Sequence, residues 1–330
     1  MIVNKQYVKN TSKQIYAKFV QRCIPVFALK YLQNKWIYQP RIKKLGIDSD
    51  ITPLFETVFF EVRTRCNSTC PFCAASIQNE IRQDITMPMN LYIKVINELE
   101  DIGFAGTIAY HVNNDPLIFP KLPDFVKYAR KNLPSAWIQI LTNGKALTEK
   151  KAENLLDAGI NELSINYYND DQTVELPKIF QNIYENVLPR YYEKHQIKTG
   201  CDSSNNNIFR FNVYRRKLNI IKTSRAGTAP NKNVKSRRPR GFCQHPFTQF
   251  NITTDGRVSK CCADLYFSDP MGNVKDNRLL EIWNGEQFQK IRKLLLKGNR
   301  DAIETCSKCD YFGVHRFNSI IEKLICIGTR

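Results

Sequence analysis

The sequence has few acidic residues and no long apolar segment. It contains 31 Asp and Glu against 49 Lys and Arg, a formal net charge of +18, and this excess favours anionic partners such as phosphorylated substrates, acidic peptides, a membrane surface or nucleic acid. A basic composition without a functional role is the alternative. The longest uncharged stretch near the N-terminus, residues 23–29, is far too short to span a bilayer. We therefore expect no transmembrane helix.

The sequence also lacks a secretory signal, internal repeats and low-complexity tracts, but it contains eleven cysteines. In a reducing compartment thiols bind metals more often than they form disulfides. We therefore expect a cytoplasmic protein whose cysteines are metal ligands.

Short apolar strands alternate with helices from residue 57 onward, which is typical of parallel β/α units. Strands are predicted at residues 57–62, 107–112, 137–141, 162–165, 209–214 and 218–222, and residues 247–252 and 258–261 are predicted to form a hairpin around a turn at residues 254–256. Helices are predicted at residues 91–99, 122–129, 148–158, 179–187 and 286–296. The pattern divides the chain into a basic extension (1–55), an α/β domain (56–223), a linker (224–242) and a small module (243–330). The extension contains a predicted amphipathic helix around Ile15 and Phe19, which we expect to pack on the main domain; binding to a membrane surface is the alternative.

Three cysteines, Cys66, Cys70 and Cys73, follow the first strand with the spacing C-x3-C-x2-C. Structural zinc and most iron-sulfur clusters take four protein ligands, so three thiols indicate a [4Fe-4S] cluster with one open iron. Buried cysteines or part of a zinc site are the alternatives. In a parallel barrel, functional residues lie at the carboxyl ends of the strands, where these cysteines, residues 113–115 and residues 142–144 all fall.

A second set of four thiols comprises Cys243, Cys261, Cys306 and Cys309. Four thiolates can close a tetrahedral site around zinc or hold a [4Fe-4S] cluster, and the spacing alone leaves both metals open.

The first three cysteines resemble the cluster motif of radical S-adenosylmethionine (SAM) enzymes. Residues 113–117 resemble that family's Gly-Gly-Glu-Pro segment, which contacts the SAM amino group, and residues 142–144 resemble its Thr-Asn-Gly. The resemblance covers most of residues 57–313 and implies an α/β fold, a partial (β/α)6 TIM-like barrel with a small C-terminal iron-sulfur module. It also implies these cofactor-binding residues: Phe72, Asn113, Asn114, Asp115, Pro116, Thr142 and Asn143.

The C-terminal module resembles the SPASM/twitch extension of the same family, including a Gly-x4-Cys element from Gly256 to Cys261. No cysteine lies between Cys309 and Cys326, so the resemblance implies a single auxiliary [4Fe-4S] cluster. Residues 224–227 resemble an Asn-Arg-Gly-Gly segment of twitch-domain aminocyclitol dehydrogenases. This implies that Arg225 binds substrate or acts as a base; an ordinary linker arginine is the alternative, because guanidinium is a poor base.

The resemblance implies that the open iron binds SAM and that the reduced cluster cleaves it to methionine and a 5'-deoxyadenosyl radical. The radical takes a hydrogen atom from a substrate C–H bond, and the auxiliary cluster accepts an electron. We therefore predict oxidation of a sugar or cyclitol alcohol. An epimerase of a sugar or a peptide is the alternative within the class; it needs a thiol hydrogen donor, for which Cys262 and Cys201 are the candidates.

The expected partners are a small-molecule or peptide substrate and a reductase such as flavodoxin or ferredoxin. The positive net charge of the protein is compatible with an anionic substrate. A basic metal-containing protein that binds nucleic acid is the alternative from another class. Its binding surface would need basic residues interleaved with aromatic ones. Here the basic residues are concentrated in the extension and the linker, which argues against nucleic acid.

Overall fold

The computed structural model describes residues 31–48, 52–76, 82–195, 209–219, 221, 224–230, 241–264, 267 and 269–314. The predicted amphipathic helix around Ile15 and the thiol of Cys201 lie outside these ranges. Of the helices within them, none combines the length and the apolar character needed to cross a membrane.

One mixed sheet of eight strands forms the framework. The strands are β1 (Thr57–Phe60), β2 (Thr107–Ala109), β3 (Trp137–Thr142), β4 (Glu162–Tyr168), β5 (Arg210–Arg216), β6 (Gln249–Ile252), β7 (Arg257–Ser259) and β8 (Gly272–Asn273). They lie in the order β5-β4-β3-β2-β1-β6-β7-β8. All pairs from β5 to β6 are parallel, whereas β6, β7 and β8 are antiparallel. The α/β prediction is confirmed, and in the described residues the sheet is open and does not close into a barrel.

Ten α-helices are described. They are α1 (Gln39–Lys44), α2 (Met89–Asp101), α3 (Leu122–Asn132), α4 (Glu149–Ala158), α5 (Lys178–Asn182), α6 (Leu188–Lys194), α7 (His245–Thr248), α8 (Leu279–Asn284), α9 (Glu286–Leu296) and α10 (Glu304–Ser307). π-Helical turns at Asn34–Tyr38 and Ile183–Val187 lead into α1 and α6, and 3-10 turns lie at Pro116–Ile118 and Arg300–Ala302. The predicted helices correspond to α2, α3, α4, the segment from α5 to α6, and α9.

The two faces of the parallel strands differ in burial. Residues of one face, such as Ile138 and Ile140 of β3, are buried in a core shared with the helices. The opposite face carries Phe59, Gln139 and Glu162, which lie in one register across β1 to β4 and are only partly buried. We call this second surface the open face. Its side chains therefore remain partly accessible to solvent.

The strand predicted at residues 218–222 is not formed by residues 218, 219 and 221, which the structure describes. The sixth parallel strand is instead β6, the first strand of the predicted hairpin, which pairs with β1 and places Phe59 opposite Asn251. The reason is apolar packing: the Phe250 ring lies 4.9 Å from that of Phe55 and 6.1 Å from that of Trp283. The sheet therefore runs through the predicted boundary of the C-terminal module, and the domain limits stay a prediction.

The described part of the N-terminal extension packs on the C-terminal module. Tyr38 is buried, its hydroxyl donates to the carbonyl of Phe312 at 3.2 Å, and the two rings stack at 5.5 Å. Arg41 Nε donates to Gln244 Oε1 at 2.9 Å. These contacts are those expected if the extension packs on the protein.

Candidate active site

The loop that carries Cys66, Cys70 and Cys73 is closed at its base by backbone pairing. The amide of Thr64 donates to Ile85 and that of Met87 donates to Val62, both at 3.0 Å. Beside this pairing, the fully buried Glu61 carboxylate accepts two bonds from the Arg82 guanidinium, at 2.7 and 2.8 Å. A buried bidentate pair of this kind fixes orientation as well as distance. The cysteine loop therefore leaves β1 in a defined direction.

The three thiols of this loop are partly exposed. Burial, and then the charge of Asp115, raise the pKa of Cys66 to about 12, so this thiol needs a nearby cation to become a thiolate, and cluster iron is such a cation. Phe72 is buried and its ring lies 5.2 Å from that of Tyr168, at the end of β4. The loop is thus held against the carboxyl ends of the strands.

Asn143 ties the end of β3 to the cysteine loop. Its Nδ2 donates to Asn67 Oδ1 at 2.7 Å and to Ser68 Oγ at 3.2 Å. Its Oδ1 accepts from the amide of Lys145 at 2.9 Å. The predicted Thr-Asn-Gly element therefore contributes to the geometry of the loop through Asn143.

Asp115 joins the ends of β2 and β3. Its carboxylate accepts from Thr142 Oγ1 at 2.8 and 3.0 Å, from the amide of Asn143 at 2.9 Å and from the amide of Leu117 at 3.0 Å. Each oxygen already accepts two hydrogen bonds, so groups of the protein occupy most of the acceptor capacity of the carboxylate. Asp115 brings the two predicted cofactor-binding segments together.

The two asparagines before Asp115 differ in whether their side chains form hydrogen bonds within the protein. Asn114 accepts from the amide of Val112 and donates to the carbonyl of Tyr110, whereas Nδ2 of the buried Asn113 has no hydrogen-bond partner among the described residues. Pro116 opens the 3-10 turn that follows. A polar ligand at the carboxyl ends of β2 and β3 could satisfy the Asn113 amide.

The second cysteine set lies in the C-terminal module, and all four thiols are buried. The sulfur of Cys309 accepts from Arg300 Nη2 at 3.3 Å and from the amide of Tyr311 at 3.4 Å. Burial, together with the charges of Cys309 and Cys306, raises the pKa of Cys243 to about 12, although the charge of Arg300 opposes this shift. Buried thiols with N–H donors to sulfur fit a resident iron-sulfur cluster.

Arg225 lies on a tight turn between the two cysteine sets. The turn is anchored by Ser224, whose amide donates to Asp310 Oδ2 at 2.9 Å and whose hydroxyl donates to the carbonyl of Lys308 at 2.8 Å. Burial alone lowers the pKa of Arg225, but the charges of Cys73 and then Cys262 raise it above its ordinary value. Arg225 is therefore within electrostatic range of thiols of both sets and of Cys262.

The open face carries polar residues that the sequence analysis missed. Glu162 accepts from Trp137 Nε1 at 3.2 Å, from Gln139 Nε2 at 3.0 Å and from Ser164 Oγ at 2.5 Å. His111 contacts Phe59 edge-on at 5.3 Å, and burial lowers its pKa to about 4, so the imidazole is neutral. The signal for this surface was the alternation of polar residues along β3 to β5.

The arrangement of a three-cysteine loop, a buried four-cysteine module and a polar sheet face defines a radical SAM enzyme. Residues 60–188 match the family model of the Radical SAM superfamily, and residues 243–310 match that of SPASM, an iron-sulfur cluster-binding domain. The chain is a radical SAM oxidoreductase that uses SAM, a SAM-binding [4Fe-4S] cluster and an auxiliary [4Fe-4S] cluster. The enzyme prediction is confirmed over the nucleic-acid-binding alternative.

Similar proteins include the S-adenosyl-L-methionine-dependent 2-deoxy-scyllo-inosamine dehydrogenase of Niallia circulans, 26% identical over 79% of this chain and 95% of that protein. The PqqA peptide cyclase of Streptomyces rochei is 24% identical over 34% of this chain and 30% of its own. The crystal structure of BtrN in complex with AdoMet and 2-DOIA superposes with a TM-score of 0.61 at 25% identity, covering 79% of this chain and 95% of that one.

Proposed function

We propose that this enzyme oxidises a secondary alcohol of a cyclitol or a sugar to a ketone. The observation that carries the proposal is the likeness to the 2-deoxy-scyllo-inosamine dehydrogenase, which extends over 79% of this chain and 95% of that protein. The hydrogen-bonding groups of the open face suit a hydroxyl-rich ring, because each ring hydroxyl needs a polar partner once it leaves water.

We infer the cluster ligands from the two cysteine sets. Cys66, Cys70 and Cys73 hold the SAM-binding cluster, and Cys243, Cys261, Cys306 and Cys309 hold the auxiliary cluster. When bound, these groups supply the electron that cleaves SAM, the resulting 5'-deoxyadenosyl radical and an acceptor for the second electron of the oxidation. SAM is placed by Phe72 and by the segments at Asn113–Leu117 and Thr142–Gly144.

The chain's own residues position the alcohol and keep water away. Arg225 binds the substrate hydroxyl from the turn between the cysteine sets, while the open face holds the other ring hydroxyls. The alcohol carbon first loses its hydrogen atom, and then the O–H proton and one electron leave, so the ketone is two hydrogens lighter. Arg225 favours this proton loss, because its cation stabilises developing negative charge on the oxygen.

The test uses the anaerobically reconstituted enzyme with SAM, a reductant and 2-deoxy-scyllo-inosamine. The expected result is one ketone, two mass units lighter than the alcohol, for each 5'-deoxyadenosine formed. Deoxyadenosine that forms equally fast without the alcohol, and no ketone, would exclude this substrate.

Epimerisation is the second candidate function, and the position of Cys262 favours it. This partly exposed thiol lies within electrostatic range of Arg225 and of Cys309, and from there it could return a hydrogen atom to a substrate radical. An epimer of unchanged mass in ordinary water that becomes one mass unit heavier in deuterated water would replace the dehydrogenase assignment, provided that Cys262→Ala abolishes it. The role of Cys201 stays a prediction.

We also propose a low-potential reductase, flavodoxin or ferredoxin, as the electron donor, in keeping with a cytoplasmic setting. Peptide substrates are known among proteins that share part of the chain, as the name PqqA peptide cyclase indicates. That likeness covers only a third of this chain, so a small molecule is the better-supported substrate class.

A further inference from the structure

Arg300 is a buried cation whose surroundings are mostly sulfur. It opens the 3-10 turn Arg300–Ala302 and is 1% exposed. Its Nη2 donates to Cys309 Sγ at 3.3 Å. Its Nε and Nη1 are also buried, and neither has a hydrogen-bond partner among the described residues. Among the residues that the structure describes, no carboxylate forms an ion pair with Arg300. A buried guanidinium without a carboxylate is costly unless another negative group lies beside it.

A second buried arginine shows what a purely structural one looks like in the same module. Arg292 donates from Nε to the carbonyl of Pro246 at 2.9 Å and from Nη1 to that of Trp283 at 2.5 Å. Its guanidinium lies 3.9 Å from the centre of the Trp283 ring. Backbone carbonyls and aromatic rings thus satisfy Arg292, whereas Arg300 contacts sulfur instead.

The electrostatics agree with this difference. Burial lowers the pKa of both arginines, and for Arg292 it is the only cause, bringing the pKa to about 9. For Arg300 the charges of Cys243, Cys309 and Cys306 outweigh burial and raise the pKa above its ordinary value. Arg300 is therefore the counter-charge of the auxiliary thiolates.

We propose that Arg300 is a positioning residue that raises the reduction potential of the auxiliary cluster and so makes it a better electron acceptor. The inference rests on the proposed ligation by Cys243, Cys261, Cys306 and Cys309, but not on the identity of the substrate. Four thiolates give an oxidised cluster a net negative charge, and reduction adds one more. A fixed cation at 3.3 Å from one sulfur stabilises the reduced form more than the oxidised form, and more strongly in a buried site than in water.

The test measures the reduction potential by anaerobic titration followed by electron paramagnetic resonance. A background with Cys66, Cys70 and Cys73 replaced by Ala leaves only the auxiliary cluster to observe. Arg300→Gln removes the charge but keeps an N–H donor, and it should lower the equilibrium constant for reduction at least tenfold, which is 59 mV for one electron. Arg300→Lys keeps the charge and should shift the potential less.

Lys308→Gln is the matched control. Lys308 lies between two of the ligands in sequence, but its side chain is exposed and paired with Glu304 at 2.9 Å, so water screens its charge. The inference would be overturned if the reduction potential of Arg300→Gln equalled that of the parent or shifted no more than that of Lys308→Gln. It would also be overturned if Arg300→Gln and Arg300→Lys shifted the potential equally.

If Arg300→Gln retains less than half the parent's iron, Arg300→Met is measured by the same criteria. If Arg300→Met also loses the cluster, the potential of Arg300→Lys decides. A potential within 59 mV of the parent's, which is a tenfold change in the equilibrium constant for reduction, supports the charge role, and a larger fall refutes it.

Discussion

Arg225 stands in a backbone conformation that L-residues rarely adopt. Arg225 and Ala226 have φ values of 41° and 54°, followed by Gly227 at 81°. A left-handed non-glycine residue costs roughly 1–2 kcal/mol, and such strain persists only where the surroundings impose it. Here Ser224 anchors the turn, and Ala226 is buried against Cys261 and Cys309. The turn thus fixes the guanidinium between the cysteine sets.

If Arg225 binds the hydroxyl and favours loss of its proton, Arg225→Gln should lower the rate of ketone formation by about 10²–10⁴, the range for such assistance. Arg225→Lys keeps the charge without the planar donor geometry and should lose less. Ketone and deoxyadenosine are measured together by mass spectrometry. Deoxyadenosine should persist in both variants, and an unchanged melting temperature would show that the turn is intact. A Gln variant that makes ketone at the parent's rate would remove Arg225 from the reaction.

At the scale of elements, sequence patterns predicted most of the parallel strands and helices because each has a clear apolar period. The strand at Gln249–Ile252 was predicted as part of a hairpin, but its parallel pairing with β1 was missed. β1 is distant in sequence, and packing on Phe55 and Trp283 selects this pairing. The two cysteine sets could be predicted from the spacing of the cysteines in the sequence. Arg300 and His111 could not be predicted, because nothing local in the sequence marks a polar residue as facing sulfur or a ligand. Glu162 was overlooked, although polar residues alternate along its strand.

The turn after β3 depends on Gly144. Its φ is +79°, and an added Cβ would lie 2.7 Å from the Phe180 ring and 2.8 Å from Ile165. Gly144→Ala should therefore cost backbone strain of roughly 1–2 kcal/mol and overpacking of about 1–3 kcal/mol. Because Asn143 precedes it and holds the cysteine loop, SAM affinity should fall as well. The melting temperature and SAM binding by calorimetry are the measurements.

Gly103→Ala is the control for this variant. Gly103 has a φ of +64°, but no atom of its surroundings lies within 4 Å of the position that an added Cβ would take, so only the backbone strain applies. Its melting temperature should fall less than that of Gly144→Ala, and SAM affinity should stay at the parent's value. Equal losses in the two variants would mean that the packing around Gly144 contributes nothing.

At the scale of the whole molecule, neighbouring strands support the two cysteine sets. β1 leads into the first cysteine loop, and β6 pairs with β1 before the hairpin that ends near Cys261, with Phe60 opposite Ile252. One continuous sheet therefore fixes the separation of the two sets, and the turn at Arg225 lies between them. Substrate oxidation and electron removal are then coupled by the fold itself.

This coupling predicts that replacing cysteines of the first set and of the second set will abolish different products. The anaerobically purified protein should contain about eight iron atoms per chain, two clusters of four. Cys306→Ala with Cys309→Ala should retain about four and still form deoxyadenosine, but ketone formation should stop, because the second electron has no acceptor. Cys70→Ala, the control, should abolish deoxyadenosine. Ketone made at the parent's rate by the double variant, or zinc in place of half the iron in the parent, would show that the C-terminal module does not accept the electron.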